Sequence, residues 1–486
     1  MGNTALLLVF SLVQTCVAPA VNSDHDDLAP RTVVSDVSLL SAAFAQQDSA
    51  CDSLKHCRTL ASIVTSCLGT IFACVWVAVH KNMPGPEQSW ISVQFESLKV
   101  VVMTLLVPEW VLAWAVRQFL KAREISKKLE QARLNAAKRE GERDISGGAD
   151  NGDGSDERDD VQIGLLSNPE TSESGAERPA FSVELWDLEK KLGRTNQVWT
   201  IVHGFFIIMG GFYYYRDGEP TFPANSTEVI ELVTSRELVP PTDNELGDKS
   251  KGDTLSKTVA VVQTLWFIAQ CIARRVQDMA ITNLEIMTLA YTVITVAMYA
   301  AWWHKPLNVR CPVRVKGDAP RENRTRNFDW TDVIDYVTGD QDVAIDLSEH
   351  DRVPTFWSDC RSGDGEIPLH ADIIALSVAM VFGAVHCAAW SYAFPSPTEK
   401  VLWRASALAI TAIPIPMAAA FALFDPFAAA DVPSGSEYIP LVCMALGGLL
   451  YIPARILLLA LSLSTLRNLP LSAFQTVQWT TFVPHI

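Results

Sequence analysis

Residues Thr59 to Val79, TLASIVTSCLGTIFACVWVAV, run through a stretch of the chain that contains no ionisable acid or base. At 1.5 Å of rise per residue, roughly 20 such residues cover the ~30 Å hydrocarbon core of a bilayer. Apolar stretches of similar length recur at Thr258 to Ala273, Leu284 to Trp303, Ile373 to Phe394, Val401 to Phe424 and Tyr438 to Leu457, the last four each holding one ionisable residue, and an interfacial apolar run continues to Leu466. The chain has 486 residues and is 49% hydrophobic, with its apolar residues gathered into blocks rather than set at amphipathic spacing. That clustering marks a membrane-embedded chain, and only helices or closed barrels satisfy their backbone in hydrocarbon. The expectation is an all-α, polytopic helical membrane protein with about seven crossings and one re-entrant segment.

Two further stretches carry that count. Leu98 to Phe119 is apolar but holds Pro108-Glu109 at its middle, and a carboxylate costs about 2.5 to 3.5 kcal/mol at a helix centre on insertion scales. It either crosses or dips in and returns. Trp199 to Tyr215 begins with Trp and ends in Tyr213-Tyr214-Tyr215, the aromatic pattern of a segment anchored at both interfaces, and it is expected to cross.

The remaining segments divide as follows. Residues 1–20 read as a signal peptide, with the apolar run Leu6 to Val13 ahead of Ala18-Pro19-Ala20, although Met1 to Thr4 holds no Lys or Arg. Residues 21–58 form a lumenal tail, 59–119 the first membrane region, and 120–198 a basic helix followed by an acidic linker. Between Lys121 and Arg143, basic residues interleave with glutamates at helical spacing, as on a solvated or membrane-surface helix. Asp144 to Pro179, with GGADNGDGSDERDD, is too polar to fold alone. The second membrane region spans 199–303 and includes a lumenal loop at 216–256; a second lumenal loop covers 304–371, the third membrane region 372–466, and the C-terminal tail 467–486.

Leader removal places the N-terminus in the lumen, and this crossing count then places the C-terminus in the cytosol, in the secretory pathway or plasma membrane. The sequons at Asn225 and Asn323 fall in lumenal segments on this reading, as do Cys51, Cys57, Cys311 and Cys360. Four such cysteines allow three pairings, and Cys51 with Cys57 and Cys311 with Cys360 each close a local loop. One cost is that Arg310, Arg314, Lys316, Arg321, Arg324 and Arg326 also sit outside, against the positive-inside tendency.

Ionisable residues inside spans are the candidates for function, because hydrocarbon penalises them unless they pair or face water. Here they are Glu109, His203, Glu285, His386, Arg404 and Arg455. Arg404 and Arg455, near span ends, read as snorkelling anchors. His386 suits a proton relay or a hydrogen bond within the bundle. His203 lies beside Gly204, where small residues permit close helix contact. Glu285 suits a salt bridge to Arg274-Arg275 or a coupling-ion site. Pro414-x-Pro416 breaks its span, as in helices that line transporter sites.

The sequence holds no H-E-x-x-H, Walker loop, G-x-S-x-G or C-x-x-C pattern, so no catalytic residue, cofactor or metal is expected. A net charge of −16 gives no electrostatic footprint for nucleic acid. The lipid bilayer is an expected partner, and the sequence names no protein partner.

Several local patterns combine: Val202-His203-Gly204-Phe205-Phe206, Met209-Gly210-Gly211-Phe212, the DKSKGD run from Asp248, Trp266-Phe267 with Gln270-Cys271-Ile272-Ala273-Arg274, Trp302-Trp303-x-Lys305-Pro306-Leu307, and the ending Trp479 to Ile486. Together they resemble the uncharacterised multi-pass membrane proteins of filamentous fungi. The resemblance covers most of the chain and implies a multi-pass fold, with no assigned activity or site residues. The functional expectation is passage of a small solute or ion, or sensing. The alternative is a scaffold that recruits cytosolic partners through its charged linker.

Overall fold

Helices with the expected apolar blocks at their centres carry the architecture. The computed structural model describes residues 57–86, 88–147, 194–216, 219–250, 253–315, 341–360, 367–424 and 438–479. The leader, Cys51, Asn323 and most of the acidic linker lie outside the described residues.

Helix α1 (Leu60–Phe72) is prolonged by a π turn, Ala73–Val77. Helices α2 (Trp90–Leu106) and α3 (Pro108–Gly147) follow, then the short α4 (Ile201–Ile208), α5 (Ser226–Thr234) and α6 (Asp243–Lys249). After them come α7 (Asp253–Val276), α8 (Asn283–Trp302), the four-residue α9 (Gln341–Ala344) and α10 (Ile367–Cys387). The last helices are α11 (Pro397–Ala412), α12 (Pro414–Leu423) and α13 (Tyr438–Ser464). Among the described residues, 6 helical segments are long and apolar enough to cross a membrane: Leu60–Val77, Lys257–Val276, Asn283–Trp302, Ile367–Cys387, Pro397–Leu423 and Ile439–Arg467.

Side-chain ties fix the direction of each helix. At one end of the bundle, Arg58, just before α1, donates to Glu285 in the first turn of α8 at 2.6 and 3.2 Å. At the other, Lys305, just after α8, donates to the His80 carbonyl beyond α1, so these two helices run parallel. Helix α7 starts at the Lys305 end, where Lys257 reaches the Trp303 and Lys305 carbonyls. It ends where Arg274 caps the Ala280, Ser472, Ala473 and Gln475 carbonyls. Helix α10 starts with Asp372 on Arg117 and ends with His386 on Met287.

The ambiguous stretch at 98–119 is a hairpin. Helices α2 and α3 meet at 112° around Val107, where Pro108 cannot donate to the preceding turn and opens a new helix instead. Near the tip, the Leu105 carbonyl accepts from Tyr291, midway along α8. The limbs end together at the Lys305 end, with Ser97 of α2 bonded to Lys81 and Gln118 of α3 bonded to Lys305.

Trp199 to Tyr215 does not cross. Its helix α4 is 8 residues long, about 12 Å at 1.5 Å per residue. Gly210 then takes φ +86, a left-handed position that stops the helix. The aromatic run after it becomes strand β1 (Phe212–Arg216), flanked by antiparallel β2 (Glu219–Pro223) and parallel β3 (Val313–Val315). Tyr-rich segments favour a pleated, half-buried surface once a glycine pair has ended the helix.

This places 120–147, 194–216, 219–250 and 341–360 together as a layer at the Lys305 end. Within it, α3 is not a free surface helix. Ala122, Ile125, Leu129, Ala132 and Ala136 are all buried, and their alternating 3–4 spacing forms one apolar stripe. Gly204 meets that stripe so closely that a Cβ there would lie 2.2 Å from the Ala122 carbonyl oxygen.

Three other expectations are corrected. The segments flanking the first and last spans are expected on opposite sides, whereas among the described residues they meet: the Arg58 amide donates to the Phe474 carbonyl at 2.7 Å and Cys57 pairs with Gln475 as an isolated β-bridge. Cys311 and Cys360 are free thiols, one exposed beside β3 and the other buried near Asp342. Glu285 pairs with Arg58 rather than with Arg274-Arg275, because Arg274 is occupied by backbone carbonyls.

The Arg58–Glu285 pair is nearly enclosed, at 15% and 4% side-chain exposure, and removing one partner strands a buried charge. Thermal unfolding in detergent is therefore expected to show Arg58→Met destabilised by about 3–5 kcal/mol. Adding Glu285→Gln to it should recover most of the loss.

Candidate functional site

Two helix breaks meet inside the bundle. One is Val107-Pro108, between the limbs of the hairpin; the other is Ile413-Pro414, where α11 gives way to α12 with Pro414 at its first turn. Between them lies a cavity of about 280 Å³, walled by Val107, Trp110, Pro414, Met417 and Phe421, with the flat surface of Gly447-Gly448 opposite. Its lining is apolar except for Glu109, Arg117, Asp372 and Tyr451.

Those four groups arrive in two pairs. Arg117 grips Asp372 with both carboxylate oxygens at 2.8 and 2.9 Å, so this wall is neutral. Glu109 is buried, and its Oε2 accepts no hydrogen bond. Tyr451 stands beside it, close enough to act on the carboxylate, while the phenol oxygen is also unpartnered.

Behind Glu109, Arg455 is fully buried, and none of its three guanidinium nitrogens has a hydrogen-bond partner. It lies 3.8 Å from the Phe382 ring centroid and 5.0 Å from that of Tyr291. Cation–π contact supplies about 2 kcal/mol when desolvated, less than the several kcal/mol that burial of an ion costs. The nearby opposite charge of Glu109 offsets the remainder.

The cavity's Arg117 wall adjoins a polar knot. Lys305 is buried with its Nζ donating to the His80 carbonyl, to Asn82 Oδ1 at 3.0 Å and to Gln118 Oε1 at 2.8 Å. It also lies 4.9 and 5.2 Å from the Trp114 and Trp302 centroids. The same Gln118 oxygen accepts from Trp302 Nε1, while Gln118 Nε2 and Trp114 Nε1 both donate to the Trp357 carbonyl. Burial holds the Lys305 ammonium well below the usual lysine range. The His80 ring, whose Nε2 is unpartnered, is lowered to about 3, first by burial and then by the charge of Lys257.

The six sequence candidates separate. Glu109 and Arg455 converge, and His386 joins them through Phe382, with ring centroids 4.9 Å apart. Arg455 does not snorkel, because α13 carries it past the aromatic faces at mid-bundle. His203 lies in the layer outside the spans, taking part in the α4 cap with Thr200 and meeting the Pro241 carbonyl at 2.7 Å. Glu285 is occupied by Arg58 and by the Thr282 cap. Arg404 lies on Trp390, 4.6 Å from its ring, and donates to its carbonyl.

Asn225 caps α5 by accepting from the Glu228 amide. His203, exposed His304 and His386 are apart, and no group of three metal-ligating side chains occurs among the described residues. Sequence reasoning passed over Arg117, Asp372, Lys305 and Tyr451. The one local signal was the lysine between tryptophans and proline in Trp302-Trp303-His304-Lys305-Pro306.

The chain belongs to a family of unknown function, DUF8562, whose model matches residues 34–162, 170–325 and 336–486. No curated protein and no solved structure matches it.

The lowered His80 value makes stability pH-dependent. An unfolded histidine takes up a proton near 6.5, whereas folded His80 resists until about 3. Stability is therefore full above 6.5 and falls on acidification, by up to about 1.4 kcal/mol per pH unit. A His80→Phe variant keeps the stacking on Trp302 and should lose that share of the slope in unfolding titrations from pH 7 to 5.

Proposed function

We propose that this integral membrane protein holds a small neutral amphiphile, an apolar molecule carrying a hydroxyl group, in the cavity between its helix breaks, in the service of passage or sensing. The carrying observation is the adjacent pair Glu109 Oε2 and Tyr451 Oη, close enough to act on each other but neither at full hydrogen-bond distance from a partner, in a cavity whose other polar lining, Arg117 and Asp372, is already paired. A buried polar atom without a partner costs about 1–3 kcal/mol. A hydroxyl relieves both, donating to the carboxylate while accepting from the phenol. The charges around the cavity cancel in pairs, Glu109 against Arg455 and Arg117 against Asp372, so an ionic ligand would lack a counter-charge. Proline-broken helices at the cavity supply elements able to shift when it fills.

Mass spectrometry of the protein purified from its native membrane is expected to find a hydroxyl-bearing apolar molecule, lost from the Glu109→Gln/Tyr451→Phe double variant. Identical occupancy in that variant, or an empty wild type, would remove the reading. The scaffold alternative is tested by deleting residues 148–193. The deletion stops there because α3 up to Ala136 supplies buried residues to the fold.

The Lys305 end is inferred to face the cytosol. Lys81, Arg117, Lys121, Lys127, Lys128 and Arg310 lie at that end against Arg58, Arg274, Arg275 and Arg467 at the other, which follows the positive-inside tendency. Free Cys311 and Cys360 suit a reducing compartment. Both ends of the described chain then face the lumen. The Asn225 sequon is expected to remain unmodified in a glycosidase mobility assay, and a shift abolished by Asn225→Gln would reverse the orientation.

A further inference from the structure

A second cavity, of about 230 Å³, lies at the Lys305 end on the rim of the bundle. Lys81, Arg310 and Arg352 all line it. They come from separate segments: Lys81 follows α1, Arg310 follows α8, and Arg352 belongs to the loop ahead of α10.

Local geometry aims them inward. Asn308 takes φ +56, turning the chain so that Arg310 faces the cavity. Gly85 leaves room for the Arg352 stem, since a Cβ there would lie 3.1 Å from Arg352 Cβ. Lys81 is held by Ser97 Oγ and lies 5.8 Å from the Trp76 ring centroid.

None of the three makes an ion pair among the described residues. The carboxylate on this wall, Glu96, is already bound by Lys99 at 2.7 Å and by Thr355 at 2.5 Å. Burial, and then the charge of Arg310, push the Lys81 ammonium below its usual range. The charge of Arg352 also acts on Glu96, so three cations share one carboxylate that Lys99 already pairs; the excess positive charge raises the free energy of the empty site, and an anion reverses that term.

We infer that Lys81, Arg310 and Arg352 form a site for a phosphate group. Guanidinium forks and an ammonium suit tetrahedral oxyanions. Basic pockets at the ends of membrane helices are where phosphate headgroups dock. Hydrocarbon contact is at hand: Phe72 and Trp76 stack at 5.7 Å on the outside of the same segment and are 56% and 42% exposed, and Phe95 of α2 is 67% exposed. The phosphate could belong to a lipid or be free in solution, and the site is separate from the amphiphile cavity.

The test follows thermal unfolding of the full-length protein in a neutral detergent while dioctanoyl phosphatidic acid, inorganic phosphate or dioctanoyl phosphatidylcholine is added. Phosphatidic acid is expected to raise the unfolding midpoint and phosphatidylcholine to leave it unchanged. Lys81→Gln and Arg310→Gln should each weaken the apparent affinity about fivefold. Arg310 is exposed, so its variant keeps the fold, and Arg310→Glu should abolish the response by supplying an internal counter-ion. A response to phosphatidic acid alone supports the site with a lipid source. A response to inorganic phosphate as well supports it with a free one. No response to either, or a response unchanged in all these variants, overturns the assignment.

Discussion

One ammonium group organises the end of the bundle where most of the polar structure lies. Lys305 is enclosed, and hydrocarbon and packed side chains offer its charge no water. It therefore needs oxygen acceptors and aromatic faces from the protein, and it draws them from three segments: the turn after α1, the second limb of the hairpin and the end of α8. Asn82 and Gln118 then bind the backbone around Trp357, which ties in the loop ahead of α10. The second limb of the hairpin is held there, and near its tip the Leu105 carbonyl accepts from Tyr291, midway along α8.

The cavity illustrates how a membrane protein holds charge without water. Arg117 and Asp372 form a closed pair, whereas Glu109, Tyr451 and Arg455 balance in charge but leave hydrogen-bonding capacity unused. Charge balance alone suffices to keep such groups in the bundle, and unmet hydrogen bonding marks where a ligand lowers the free energy further. Both helix breaks border this place, so the least regular backbone and the least satisfied side chains coincide there. At the rim cavity the imbalance is of the other kind, with hydrogen bonds available and charge unbalanced, and the two sites therefore call for different ligands.

Much of the fold was legible because hydrocarbon burial is read directly from apolar length. Thr59 to Val79 needed no context, whereas Leu98 to Phe119, with Pro108-Glu109 at its middle, was open between crossing and folding back until the 112° bend was seen. Trp199 to Tyr215 misled because its aromatic ends match an interfacial anchor, whereas Gly210-Gly211 divides it into a helix and a strand. Of the candidate residues, Glu109, His386 and Arg455 meet, while His203, Glu285 and Arg404 are each occupied locally. No spacing rule distinguishes the two groups, since a carboxylate at the start of a helix looks alike whether its partner is 11 residues away or 227.

Composition alone is enough to identify the segments long and apolar enough to span a membrane, and the places where proline interrupts them. These are properties of consecutive residues, set by rise per residue and transfer free energy. Which buried charges neutralise one another, which polar atoms are left without a partner, and which end of each helix lies beside which emerge only from the folded arrangement. Those outcomes depend on side chains that reach across tens to hundreds of positions, as Arg58 does to Glu285 and Lys305 to His80. Electrostatic and hydrogen-bond energies act over a few ångströms of space, whatever the distance along the chain.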